Sequence, residues 1–161
     1  MALNAYLRLK GQKSGEINGS AGKKSRTGSI AVIACDHQVV SPRDIQSGLP
    51  TGQRVHHPLV ITKEVDAASP LLWNILCTNE NITEWELRFW QPAPGGTKTQ
   101  YFTIILTNAN IAGIRMTMPN NKAKETATLN EREEITFTYQ KIEWRYEDGA
   151  ITAADDWEAR V

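Results

Sequence analysis

Three histidines, two cysteines and a few acidic clusters are the side chains in this 161-residue sequence whose types could do chemistry. Cys35, Asp36 and His37 are consecutive, and on an extended strand Cys35 and His37 share a face while Asp36 points the other way. That spacing could serve a Cys–His nucleophile or half of a zinc site. No second pair of ligands stands at metal spacing, so a buried cysteine beside a half-exposed histidine carries more weight. His56 and His57 sit together before Pro58, where adjacent loop histidines more often hydrogen-bond to neighbours than hold metal. Glu131, Glu133 and Glu134, like Glu84 and Glu86, alternate with apolar residues as a solvated strand face does, and nothing pairs them for glycosidase-type acid–base work. Lys23, Lys24 and Arg26 form a small basic patch in a Gly/Ser-rich stretch. Without interleaved aromatics it reads as a solvated loop and not a phosphate or nucleic-acid contact. There is no phosphate-binding Gly loop and no Gly-x-Ser-x-Gly elbow. The sequence thus nominates no catalytic residue, no cofactor and no metal, and the chain is expected not to be an enzyme.

The elements that would carry these residues are mostly strands. Leu7 and Leu9 alternate with Arg8 and Lys10, and a turn-rich stretch follows from Gly11 to Ser29. Ile30 to Val40 is a β stretch whose first half is apolar on both faces and so should be buried on both sides. Ser41 to Pro58 carries Pro42, Gly48, Pro50, Gly52 and Pro58, a composition that blocks a regular element. A loop of that length inside a compact domain is usually functional. After a strand at Leu59–Val65, Ser69-Pro70 opens the one convincing helix, with Ser as N-cap and Leu71, Leu72, Ile75 and Leu76 at helical spacing up to Thr78-Asn79. Strands follow at Thr83–Gln91, Gln100–Leu106 and Ile111–Met118, with a Pro-Gly-Gly hairpin loop from Pro92 to Gly96 and a polar loop from Pro119 to Asn130. In the last long strand, Glu133–Tyr146, the apolar parity changes between Tyr139 and Ile142, which predicts a bulge or sharp bend. About seven or eight strands with one flanking α-helix suit a β-barrel or tight sandwich, in a single domain over 1–161.

Composition narrows the function classes. Lys+Arg and Asp+Glu balance at 18 each, so no general pull toward nucleic acid or acidic membrane exists, and self-repulsion between copies is small. Cys35 and Cys77 read as small buried hydrophobes in a reducing compartment. The first ten residues alternate and show no apolar signal-peptide core, and no run approaches the length of a membrane span. Trp85 and Trp144 fall on apolar faces; Trp90 and Trp157 read as exposed, which favours an interface. A sugar-binding sandwich would need a row of exposed aromatics, and only those two qualify.

Blocks of the sequence resemble the Hcp family, the haemolysin-coregulated tube proteins of bacterial type VI secretion. They run from Ser41-Pro42-Arg43-Asp44 through Ser47-Gly48-Leu49-Pro50-Thr51-Gly52 into His57-Pro58-Leu59-Val60-Ile61-Thr62-Lys63-Glu64. Asp66 and Ser69-Pro70-Leu71-Leu72 come next, then Leu106-Thr107-Asn108-Ala109 and Met118-Pro119-Asn120. The ending fits as well, with Phe137-Thr138-Tyr139-Gln140-Lys141-Ile142-Glu143-Trp144, Gly149, Ile151-Thr152 and Asp155-Asp156-Trp157. The segment Asn121–Glu131 departs from the family's pattern, being longer and more polar.

The resemblance implies a mostly β chain, a β-barrel with one flanking helix, assembling into six-membered rings. Those rings would stack into a hollow tube inside a contractile sheath, with a spike protein at the tip and small effector proteins held in the lumen. The partners implied are the chain itself as a homohexamer, the spike, the sheath and effectors, with no nucleic acid, no membrane insertion and no cofactor. The tube would assemble in the cytoplasm and be secreted without a signal peptide. Stacking needs something that protrudes along the ring axis, and the tip Ser47, Gly48, Leu49, Pro50, Thr51 and Gly52 is the expected ring-stacking loop, with Leu49 as apolar anchor. A lumen needs a polar lining, and Asp36 and Gln38, where the even-numbered face of the second strand turns polar, are the expected effector contacts.

Overall fold

Alternation of apolar and polar residues sets the burial of the longer strands in the computed structural model, which describes residues 1–20 and 28–157. In β1 (Ala5–Gly11) the residues Ala5, Leu7 and Leu9 are buried while Arg8 and Lys10 are exposed. A turn leads back into β2 (Gly15–Ile17), and β3 (Ile30–Val32) pairs with the other half of the same strand edge. The chain then forms β4 (Ala34–Asp36), β5 (Val39–Val40), β6 (Val55–His56) and β7 (Leu59–Glu64). Helix α1 (Ser69–Thr78) follows, then β8 (Ile82–Pro92), β9 (Lys98–Thr107), β10 (Asn110–Thr117), β11 (Arg132–Thr138), β12 (Lys141–Tyr146) and β13 (Ile151–Asp156).

These strands make a seven-stranded antiparallel sheet in the order β13-β12-β9-β8-β1-β2, with β3 also on β1, and a four-stranded sheet in the order β10-β11-β7-β4. The inner faces meet in one core, where Trp85 of β8 stands edge-on to Phe137 of β11 at 5.3 Å between ring centres. Leu72 and Ile75 of α1 are buried with them.

The fold is mostly β with one helix, as the sequence indicates, but the sheets do not close into a barrel. They are joined at corners: the Ile33 N–H donates to Thr62 O at 2.8 Å, and Ile82 bridges Ala109. The described residues divide into thirteen strands where seven or eight are expected: the stretches at 30–40 and 133–146 break as the chain passes between sheets, and β2, β6 and β13 form in segments whose composition indicated no strand. The stretch from Ile30 is such a passage, with Ile30 and Val32 buried in the large sheet and Ile33, Ala34 and Cys35 exposed at the edge of the small one. Burial on both faces therefore fails after Val32. The parity change between Tyr139 and Ile142 is another passage, with β11 in the small sheet and β12 in the large one.

Both cysteines are exposed rather than buried, Cys35 on edge strand β4 and Cys77 on the outer side of α1. Ser69 is the first helical residue and not the N-cap, a place taken by Ala68 with no side-chain cap bond. Its hydroxyl serves a buried polar cluster instead. Lys63 and Glu133 face each other across β7 and β11, both buried, at the end of apolar rows made by Leu59 and Ile61 on one strand and Ile135 and Phe137 on the other. Lys63 Nζ donates to Asp66 Oδ1 at 2.9 Å, Ser69 Oγ at 3.0 Å and Glu133 Oε1 at 3.5 Å. The Ser69 hydroxyl donates to Glu133 Oε1 and accepts the Asp66 N–H at 3.0 Å. All three ammonium protons are thus used, and the start of α1 is tied to the centre of the small sheet. At its other end the helix stops at Asn79, left-handed at φ 52°.

Replacing Lys63 by Ala leaves two carboxylates without their cation, so unfolding by urea should show a loss of about 3–5 kcal/mol. A loss well under about 1 kcal/mol would contradict the cluster's structural role.

Candidate functional site

Three kinds of surface are available for contact with another chain: strand edges, a projecting ribbon and a polar cluster at its base. The edges come first. β10 and β4 end the small sheet and β13 ends the large one, each with one side unpaired among the described residues. β13 has its first four residues exposed, and all three residues of β4 are exposed. Apolar side chains stand exposed at or near these edges: Met116 and Met118 at the end of β10 and Ile151 at the start of β13. An unpaired strand edge is a template for pairing with another strand, and exposed apolar groups beside it add burial to the hydrogen bonds.

The ribbon is the segment from Ser41 to Pro58. It is more regular than its composition suggests, because Val39 and Val40 pair with His56 and Val55, and Arg43 bridges Pro50 near the tip. Thr51 N–H donates to Pro42 O at 3.0 Å, and Asp44 N–H to Leu49 O at 2.8 Å. At the tip the Asp44 carboxylate accepts the Ser47 N–H at 2.9 Å, and Ser47 Oγ accepts the Leu49 N–H at 3.3 Å. These bonds to Ser47 hold the Asp44 carboxyl below its ordinary range. Gly48 takes φ 71°, a left-handed conformation that opens the turn at no steric cost. The result is a braced turn that holds Ile45 fully exposed and Leu49 largely so, on a body whose other large apolar residues are mostly covered. Ile45 is the stronger apolar projection and was not singled out by sequence, where Leu49 drew attention through its glycine and proline neighbours.

Of the polar candidates, Asp36 is exposed on edge strand β4 opposite Val60, and Gln38 is exposed at the foot of the ribbon, where its carbonyl accepts the His57 N–H at 3.0 Å. Although Cys35 as a residue is exposed, desolvation of its sulfur, with the Asp36 carboxylate adding, pushes the thiol up to about 11, which keeps it protonated at neutral pH. His37 turns to Tyr139 instead, with Nε2 at 2.8 Å from the phenol oxygen. The same oxygen lies 2.7 Å from His56 Nδ1, while His56 Nε2 lies 2.6 Å from Asp155 Oδ2. Arg54 closes the row, donating from Nε and Nη2 to the two Asp155 oxygens at 2.6 and 2.9 Å and from Nη2 to Asp156 O at 2.8 Å. His37 and His56 thus meet through Tyr139, far away in sequence, and only the parity change beside Tyr139 hinted at anything unusual there. His57 is exposed and outside this row. Of the glutamates expected on a solvated face, Glu131, Glu134 and Glu84 are exposed, but Glu133 is buried against Lys63. Trp157 is exposed, whereas Trp90 is half-buried. Lys23, Lys24 and Arg26 lie outside the described residues.

Comparison with known proteins agrees with this geometry. A family model described as "Type VI secretion system effector, Hcp" matches residues 6–146. A curated relative, the "Major exported protein" of Pseudomonas aeruginosa, is 38% identical and is aligned over 100% of this chain and 99% of its own length. Among solved structures, the Hcp1 protein of the E. coli EAEC 042 pathovar is 32% identical with a TM-score of 0.86, covering 97% of this chain and 99% of that one. A further Hcp protein is 28% identical with a TM-score of 0.91, over 98% of this chain and 99% of that one.

Asp44→Ala removes the tip's side-chain brace without touching the core. Hydrogen exchange at the Ser47 and Leu49 amides should accelerate while the melting temperature stays essentially unchanged, and unchanged exchange would mean the tip is held by its backbone bonds alone.

Proposed function

We infer that this chain, which belongs to the Hcp family and is a structural tube protein of type VI secretion, works by closing into six-membered rings through its open sheet edges and stacking those rings by its projecting ribbon. The family is one of secretion tube components and not of enzymes, and the work of this chain is to present surfaces rather than to turn over a substrate.

The observation that carries the reading is the pairing of unfinished edges with a braced, apolar-tipped ribbon on one small chain. A ring of identical copies needs a heterologous contact, one patch against a different patch, repeated until the rotation closes. An edge of the small sheet meeting the edge of the large one on the next copy is such a contact, and it covers backbone groups that must otherwise face water. Stacking is a second heterologous contact along a different axis. A ribbon already fixed in shape loses little freedom on docking, which favours association through a small apolar tip. The tip residues Ser47, Gly48, Leu49, Pro50, Thr51 and Gly52, with Ile45 beside them, dock on the adjacent ring.

The lumen reading assigns Asp36 and Gln38 to effector contact, because both are exposed and polar near one edge of the small sheet. Small effector proteins would ride in the hollow, a spike protein would cap the tube and a contractile sheath would surround it. The export named for the Pseudomonas relative fits a tube that assembles in the cytoplasm and leaves the cell with its contents.

Two results check this reading. Deleting residues 47–52 should leave rings intact and abolish tubes in negative-stain electron microscopy, and tubes from the deletion variant would overturn the stacking role. Asp36→Trp should lower retention of a co-expressed effector several-fold while ring size is unchanged; equal retention would remove Asp36 from the lumen.

A further inference from the structure

The row at the foot of the ribbon has a direction to its hydrogen bonds. The Arg54 guanidinium beside Asp155, the leading cause, together with His56, holds the Asp155 carboxyl below its ordinary range, so Asp155 is an anion that only accepts. His56 therefore places its Nε2–H toward Asp155, and a neutral His56 has a lone pair at Nδ1. Burial, with the Asp155 charge adding, pushes Tyr139 up to about 12, so the phenol keeps its proton and donates it to that lone pair. The phenol oxygen then accepts the Nε2–H of His37. Every donor points one way, from His37 through Tyr139 and His56 to Asp155, and the His56 side chain is only 2% exposed.

This row bridges separate parts of the fold. His56 and Arg54 belong to the ribbon, His37 to the segment entering it, Tyr139 to the passage between sheets, and Asp155 to β13. Trp157 leans over the His56 ring at 6.0 Å and donates its indole N–H to Tyr139 O. The two-residue strands of the ribbon have little pairing of their own, so these side chains fix its angle to the body.

One extra proton fits. A His37 cation still donates from Nε2, or a His56 cation turns the Tyr139 hydroxyl around toward a neutral His37. A second proton does not fit. Two imidazolium rings would both donate to one phenol oxygen, its own proton would lose its acceptor, and two like charges would face each other across it.

We propose that the row from Arg54 to His37 is a proton-operated clasp that holds the ribbon in its docking posture near neutral pH and releases it in mildly acidic surroundings, so that stacked rings come apart there. The proposal rests on the ribbon being the stacking element. Burial, then the neighbouring His56, holds His37 below its ordinary value of 6.5, with Asp36 opposing and His57 assisting. Asp155, Asp156 and Arg54 are the other charged groups at the row. A histidine whose value is depressed in the clasped form gives full stability above 6.5, and that stability falls away as pH drops from there toward the depressed value.

The test measures two things on the full-length protein at pH 7.5 and 5.5: hydrogen exchange of the ribbon amides, corrected for intrinsic rate, and tube length in negative stain. Wild-type ribbon amides should open up to about tenfold more readily per pH unit below the histidine's ordinary value, the limit for one linked proton. Tubes should shorten in parallel. His37→Gln keeps an N–H donor for Tyr139 but cannot take a charge, so it should stack normally at pH 7.5 and lose most of the acid response. Tyr139→Phe should give a ribbon already loose at pH 7.5 and insensitive to acid. Flat wild-type ribbon exchange between the two pH values, or an acid response in His37→Gln equal to wild type, would overturn the clasp. If instead ribbon exchange responds to acid as described while the variant lacking residues 47–52 still forms tubes, the clasp stands and the stacking role of the ribbon falls.

Discussion

Unpaired backbone at the sheet edges is the constraint around which this fold is arranged. A closed barrel would have no edges to complete; two open sheets that share a core but do not close leave β10, β4 and β13 each with one side unpaired by another strand among the described residues. Natural edge strands are commonly blunted with lysine, proline or a bulge. Here β13 reads Ile-Thr-Ala-Ala-Asp-Asp and β4 Ala-Cys-Asp, with carboxylates only at their last positions and with exposed apolar neighbours, while β10 carries a register shift between Ile111 and Gly113. Solvent-facing edges of that kind are templates for pairing with another chain, which suits a member of a family of secretion tube components.

The rest of the chain keeps those edges in position. Trp85 and Phe137 lock the sheets face to face, and the Lys63–Ser69–Glu133 cluster fixes α1 to the small sheet, with Asp66 completing it. That cluster is buried, with every ammonium proton used, though Glu133 Oε2 finds no hydrogen-bond partner among the described residues. The row at the foot of the ribbon is built from similar groups but bridges a projecting element to the body, and burial with the neighbouring His56 holds its His37 below the ordinary histidine value. Buried charge thus serves rigidity in one place and adjustable posture in the other.

Much of this was legible from residue types. Period-two alternation located the main strands, Ser69-Pro70 with its apolar spacing located the helix, and the glycine- and proline-rich tip marked the ribbon. What failed did so for tertiary reasons. Glu133 alternates like a surface carboxylate, and only its register opposite Lys63 makes it a core residue. Ser69 looks like a cap because caps and buried hydroxyls share the same residue type. Cys35 sits in an apolar run that happens to cross between sheets, so apolar sequence there does not mean burial. The His37–Tyr139–His56 meeting joins residues about a hundred positions apart and has no local signature. The parity change at Tyr139 announced a bend, but not that the bend carries the phenol to the ribbon.

Ring formation is the central claim, and native mass spectrometry of the purified protein near neutral pH, with negative-stain images of the same sample, tests it most directly. The account predicts a dominant species of six chains seen as rings with a central hole. Monomers at concentrations well above micromolar, with open edges unpaired and no ring in the images, would contradict it.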